Sequence, residues 1–463
     1  MNLIATSSRF FAALLLVLLP FDAGADERFE AEERQHRAIL ASDPSNRAGQ
    51  LGLARVHLWR GEYREAERRF GLLLRDSPND AGALMGWAQA AYWSGDYRAA
   101  KKRFERILEV DPSNSDAKKA LDDLRIVAAP RYEISGATSD DTQPMRHLGT
   151  YARLSYFSDP LTRWDARISA GRVEDDATND ALNLRGLAVG LTTAIPRFRL
   201  TVAASAERIA FEDDTSETLA SGSLTWRVRS AEIALAADQY PLLGTATAIV
   251  SRETATRLRL TYRHEPAIGW QGAVNVERVA YSDENRGRGA DLYLLMPILQ
   301  RAVTPGATQT HGRLAIRAGF SAAIRDTEED RFRFTSFRSE AIDGGFAYRF
   351  SGVYDPYWTP HDLREARVIG AVETSLRRAT IKVQADAGIA RERARAFGPA
   401  TGETQIPQFT FPILLERTHH PWRSAIEITI PINGRAEFRA RFRHEAAAFY
   451  DLNEFQASVG GRL

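Results

Sequence analysis

The chain of 463 residues is long enough for two or three domains, and its charge is nearly balanced at a formal +1. That balance gives no global pull toward nucleic acid. The absence of cysteine excludes disulfides, thiolate metal sites, a cysteine nucleophile and a lipoprotein anchor. Four methionines and nine scattered histidines point to no metal site, haem or other cofactor.

The N-terminus reads as a leader. A polar stretch with one cation, Arg9, precedes an apolar run from Phe10 to Leu19, and Ala23-Gly24-Ala25 follows. This order predicts a secretory signal peptide over residues 1–25, cleaved after Ala25. The run is shorter than the roughly 20 residues a spanning helix needs, and no comparable run recurs. The mature chain is expected to leave the cytoplasm without a membrane-spanning helix.

Residues 26–130 are expected to be helical, with a period of 34 residues. Gly61 and Gly95 share a phase, as do Tyr63 and Tyr97, Ala66 and Ala100, Phe70 and Phe104, Trp59 and Trp93, and Pro78 and Pro112. Glycine suits the turn between two helices, alanine their close contact, the rings the space between them, and proline the stop. The pattern resembles the tetratricopeptide repeat, with full copies at Arg47–Asp80 and Ala81–Asn114. A half-repeat helix precedes them and a charged helix, Ser115 to Arg125, follows. Such arrays dock partners on a concave face, so a docking module is expected, with a simple spacer as the alternative.

After Pro130 the period becomes two. Arg257-Leu258-Arg259-Leu260 and Glu437-Phe438-Arg439-Ala440-Arg441-Phe442-Arg443 alternate, and from Trp422 onward Ile426, Ile428, Ile430 and Ile432 share one face. Successive strand side chains point to opposite faces. Strands of about 9–13 residues suit a tilted transmembrane strand, and a closed barrel leaves no edge unpaired in lipid. Tight connections (Ser158-Asp159-Pro160, Ile195-Pro196, Asn433-Gly434) contrast with acidic, solvated ones near Asp175 and Asp283, and Trp164, Trp226, Trp270 and Trp422 lie near strand ends as a girdle would. Residues 131–463 are therefore predicted to form an antiparallel transmembrane β-barrel. The fold class is thus two-domain α + β, a helical solenoid and then a barrel. A strand count gives eighteen, or sixteen if Arg331–Arg338 is a loop. An even number returns the C-terminus to the rim where the first strand begins. Leu463 departs from the aromatic residue that usually ends such barrels.

With apolar residues facing lipid, the lumen wall is expected to carry Arg257, Arg259, Arg423, Glu427, Glu437, Arg439, Arg441 and Arg443, together with Arg197, Arg199 and Arg435. Arginine forks with interleaved carboxylates suit a hydrated polyol chain, and an excess of arginine favours anionic polymers. No Gly-x-Ser-x-Gly element is present, and His419-His420 and His361-Asp362 are dipeptides rather than triads, so no catalytic residues are assigned and no enzyme is expected.

Leader, short tetratricopeptide array and large barrel together resemble the outer-membrane proteins of exopolysaccharide secretion systems, such as the outer-membrane component of bacterial cellulose synthase. Gly352-Val353-Tyr354-Asp355-Pro356, with Tyr357 and Trp358 behind it, looks like the glycine–aromatic–Ser-Pro segment of those barrels, with Asp355 in place of serine. The resemblance implies a bacterial outer-membrane conduit for a polysaccharide chain, with periplasmic repeats docking synthesis or modification proteins. An assembly scaffold anchored in the outer membrane by a non-conducting barrel is the alternative. Tyr354, Tyr357 and Trp358 are candidate platforms for sugar rings, with Asp355 accepting hydroxyls; the same rings equally suit an interfacial girdle. Strand parity puts residues 352–362 on the rim opposite the N-terminal domain, residues 377–378 in a tight turn, and residues 397–420 in a long surface loop. If Arg331–Arg338 is not a strand, the rim segment flips to the other side.

Overall fold

The computed structural model describes residues 26–463 except 143–144, 176–179, 229, 266–268, 304–311, 343–344, 355–356, 377, 397–412 and 448–450. The expected leader lies outside these residues. The chain divides into two compact units, parted between Val127 and Ala128.

Among the described residues the first unit is six helices: α1 (Asp26–Ser42), α2 (Arg47–Trp59), α3 (Tyr63–Asp76), α4 (Ala81–Ser94), α5 (Tyr97–Val110) and α6 (Ser115–Val127). Their starts are written in the sequence. Asn46, Asp80 and Asp96 each accept a hydrogen bond from the N–H three residues on, at 2.9–3.0 Å. Gly61 and Gly95 turn the chain between paired helices at φ +75° and +84°, which a side chain resists. Pro78 and Pro112 lie in the turns that follow α3 and α5.

Repeat spacing becomes packing. Ala66 and Ala100 are fully buried, and the Phe70 ring lies so near Gly86 on α4 that a Cβ there would approach it to 2.2 Å. Glycine in the next repeat thus makes the socket for the preceding repeat's phenylalanine. On the same helix Tyr92 packs against Tyr97 at 5.6 Å and edge-on against Phe104 at 6.3 Å. Phe70→Ala is expected to cost this unit about 3–5 kcal/mol, read as an earlier melt of its helical circular dichroism.

The second unit is a sheet that closes on itself. Its first strands are β1 (Arg131–Asp141), β2 (Met145–Asp159), β3 (Thr162–Asp175), β4 (Asp180–Ile195), β5 (Leu200–Phe211) and β6 (Ser216–Val228). Then come β7 (Ala231–Pro241), β8 (Thr254–His264), β9 (Gln271–Tyr281), β10 (Arg286–Val303) and β11 (Gly312–Thr327). After β12 (Phe332–Ile342) and β13 (Gly345–Tyr354), the wall resumes with β14 (His361–Leu376) and β15 (Ala379–Ala396). It ends with β16 (Ile413–His419), β17 (Trp422–Pro431), β18 (Ala436–Ala446) and β19 (Asp451–Arg462).

Each wall strand pairs antiparallel with the next, and β19 pairs with β1 over its whole length, from Arg131↔Arg462 to Asp141↔Leu452. The seventeen strands of this sheet make sixteen around the barrel, because β16 and β17 are two halves of one strand. Both pair with β15, at residues 390–396 and 380–387 respectively. Between them Pro421, which has no N–H, breaks the ladder and accepts from Gly388 N at 3.1 Å.

The sequence count of eighteen is corrected by β12 and β13, which pair only with each other. The run 331–338 does form a strand, but both strands of the hairpin leave the wall together. Parity is preserved, and the rim segment does not flip. We call the rim bearing Arg131 and Arg462 proximal and the opposite rim distal; the β11–β14 excursion stands on the distal rim.

Other corrections concern connections. Arg197 is in a 3₁₀ turn opened by Pro196, and Arg199 follows at φ +52°, so neither belongs to a wall strand. Arg435 lies in the β17–β18 turn. Residues 413–419 extend the wall as β16, since the upper half of β15 offers them a partner; residues 397–412 lie outside the described residues.

The outer face is apolar, with Ile134, Leu187, Leu260, Val368, Ile426 and Phe442 all exposed. Near the proximal rim Tyr156 faces Trp164 and Leu200 faces Trp226 in register, and Trp270 lies 4.0 Å from His264. Trp422 sits toward the other end, where β17 begins. Among the described residues no helix is long and apolar enough to cross a membrane. The crossing element is the strand.

Candidate functional site: the charged cavity below the distal rim

Tyr281 ends β9 on the inner face, in register with Ala255 and two residues beyond Val279, the partner of Arg257. The Tyr357 ring stacks on it at 3.9 Å with 10° between planes, so the segment joining β13 to β14 is tucked inside the mouth. Tyr357 is 7% exposed and donates its hydroxyl to Asp283 Oδ1 at 2.7 Å. Arg331 donates Nε to Asp283 Oδ2 at 2.6 Å, and its backbone N–H to the buried Thr359 hydroxyl at 2.9 Å. Asn285, also buried, donates to Glu329 O at 3.1 Å and accepts from Glu329 N at 3.0 Å. The excursion therefore leaves and returns through one brace, anchored on the β9–β10 turn.

That turn, expected as a solvated acidic loop, keeps Ser282 and Glu284 exposed but draws Asp283 and Asn285 inward, where Arg331 and Tyr357 occupy the Asp283 carboxylate. Burial works against ionising Asp283, but hydrogen bonds from Arg331 and Tyr357 outweigh it and hold the acid below the usual carboxylate range. Tyr357 is pushed up, by burial first and then by Asp283. A carboxyl whose folded value is depressed stabilises at pH above its unfolded value, and that contribution is lost as pH falls through the folded value. The brace is thus expected to hold at neutral pH and loosen in acid. Protease cleavage between residues 331 and 357 of the reconstituted chain should rise below the usual carboxylate range, and Asp283→Asn should flatten the dependence.

Beneath the brace lies a cavity of about 730 Å³ lined by strands β9–β11 and β14–β18 and by Trp358. The Arg325 guanidinium carbon is 6.0 Å from the centre of the Trp358 ring. Arg367 is buried between Glu365, 2.9 Å from Nη2, and Asp386, 2.8 Å from Nη1. Arg423 Nε reaches the same Asp386 at 3.0 Å. Glu392, fully buried, takes Arg417 and stands 3.9 Å from His419 Nδ1. Arg443 pairs with Glu445 at 3.0 Å, and Tyr293 donates to Glu265 at 3.1 Å. Two backbone approaches shape this wall. A Cβ on Gly319 would come 1.7 Å from Leu294 O, and one on Gly388 would come 2.0 Å from Ala366 O.

Of the expected lumen residues, Arg423 and Arg443 line this cavity. Arg257 and Arg259 occupy another stretch of wall, paired with Asp238 at 2.8 Å and Glu277 at 3.0 Å. Glu427 faces Lys382 at 3.9 Å and is in register with Arg441. Glu437 and Arg439 pair with each other beside a proximal cleft of about 430 Å³. The expected excess of arginine is offset by carboxylates on other strands, Asp238, Glu277 and Asp386 among them. Of the rim candidates, Tyr354 ends β13 opposite Phe332, and Asp355 lies outside the described residues. Tyr357 is a buried strut, with one face and its hydroxyl engaged. Trp358 borders the cavity. Sequence reasoning missed Glu365, Arg367, Asp386 and Glu392; alternation along 380–392 was a signal, but only the register brings them together.

Helical repeats followed by a closed sixteen-stranded antiparallel barrel, apolar outside and charged within, make this a two-domain protein whose barrel has the fold of outer-membrane barrels. The tetratricopeptide-repeat family model matches residues 60–124. Among solved structures, the chain is similar to one described as a bacterial polysaccharide outer membrane secretin, with 12% identity and a TM-score of 0.50 over 73% of this chain and 99% of that one. OccK5 of Pseudomonas aeruginosa is 10% identical, with a TM-score of 0.33 over 72% and 97% of the two chains. The second tetratricopeptide domain of human RPAP3 is 23% identical, with a TM-score of 0.19 over 20% and 79%. A comparison with curated proteins finds no match. The architecture is a tetratricopeptide-repeat unit followed by a closed antiparallel barrel.

Proposed function

We propose that this chain is an outer-membrane conduit, not an enzyme, through which a polysaccharide leaves the cell. In this reading the helical repeats stand in the periplasm and dock the proteins that make or modify the polymer. The observation that carries it is the joining of a tetratricopeptide array to a sixteen-stranded barrel whose fold is similar to a polysaccharide outer membrane secretin. The cavity adds chemical support, since guanidinium donors, carboxylate acceptors and the rings of Trp358 and Tyr293 suit sugar hydroxyls and faces. The brace at the mouth favours a second reading, a closed barrel that anchors an assembly scaffold. Deleting the gene and quantifying surface polysaccharide tests the first: the polymer should disappear from the surface and return on complementation, while unchanged surface polymer rejects the conduit.

A further inference from the structure

In a strand ladder, register partners share a face. The inner face can be followed from Glu133 to Arg153 and Arg167, then strand by strand to Glu437, Gly460 and back to Glu133. Along this circuit arginines and carboxylates are close to equal in number, and they stand in contact. Arg153 pairs with Glu133, Arg167 with Glu207 at 2.6 Å, and Arg257, Arg259, Arg423 and Arg443 with the acids named above. Between β4 and β7 small uncharged side chains stand between the charged ones, Arg167, Glu207 and Asp238. Ala188, Gly190, Ser205 and Ser221 there border a hollow of about 440 Å³.

We infer that the polymer exported through this barrel carries little net charge. The inference rests on the conduit reading. A chain of uronates or phosphates would meet carboxylates as often as arginines, and Arg153, Arg167, Arg257, Arg259, Arg367, Arg423 and Arg443 would already be held. It would shed water inside a low-dielectric tube with no opposing charge released to receive it. A polycation meets the mirror image of that obstacle. An uncharged polyol is not penalised by either sign. Its hydroxyls accept from guanidinium and donate to carboxylate, and the paired stretches of wall present both. The small-residue stretch adds room for sugar rings without adding charge.

The test is to delete the gene, complement it with the full chain, and fractionate the cell-surface carbohydrate on anion and cation exchangers at neutral pH and low salt. The carbohydrate lost on deletion and restored by complementation should pass both resins unretained. If the lost carbohydrate is retained by either exchanger, the inference is overturned while the conduit reading stands. If no carbohydrate is lost, the conduit reading fails and the inference falls with it.

Discussion

A chain in which Arg331–Thr359 is replaced by a short glycine–serine linker is expected to conduct about threefold or more over the intact chain in planar bilayers, because barrels of this strand number enclose an aqueous channel. The segment removed carries Tyr357, stacked on the inward-facing Tyr281, and Trp358, at the upper edge of the cavity. It also carries Arg331, which ties both ends of the excursion to Asp283 and Thr359. Asp283→Asn keeps every atom of bulk but weakens the brace, so it should give a smaller rise. Equal conductance in all three chains would show that the narrowest section lies elsewhere. A silent intact chain and an open shortened one would describe a barrel closed at rest.

The second large effect is on the wall. Asp386 accepts from Arg367 and Arg423, and both Asp386 and Arg367 are almost wholly shielded from solvent, at 3% and 4% side-chain exposure. Asp386→Ala strips Arg423 of this carboxylate and leaves the buried Arg367 with Glu365 alone, and removing one partner of a buried pair costs about 3–5 kcal/mol. The folded fraction in a urea titration of detergent-solubilised protein should collapse at correspondingly lower denaturant. Glu427→Gln is the control, since its pair with Lys382 is solvent-exposed and long, and exposed pairs contribute about 0–1 kcal/mol. If the two variants unfold together, Asp386 does not hold this wall.

Much of the fold was legible because local chemistry set it. The 34-residue spacing of Gly61, Ala66 and Phe70 with their counterparts gave the repeats, though not the caps at Asp80 and Asp96. Alternation gave the strands, and the even count held. What failed was pairing at a distance. The run after Arg331 alternates as well as any wall strand, yet it pairs with β13 outside the barrel, a choice its own residues do not reveal. His419 and Trp422 read as a loop end and a strand entrance, because Pro421 looks like a terminator until β15 is seen to accommodate it. The site was hidden for the same reason. Arg423 was visible, but Asp386 and Arg367 reach it from two strands whose register no short window contains.

The hairpin excursion has a consequence for how such a chain can change. It departs after β11 and rejoins at β14, which are neighbours in the wall. From the barrel's standpoint the inserted length is zero: every later strand keeps its direction and partner whether the detour is long, short or absent. The detour is therefore a cassette, exchangeable among barrels of this kind without refolding them. What a new one must preserve is its fastening, a cation and a hydroxyl placed to hold Asp283.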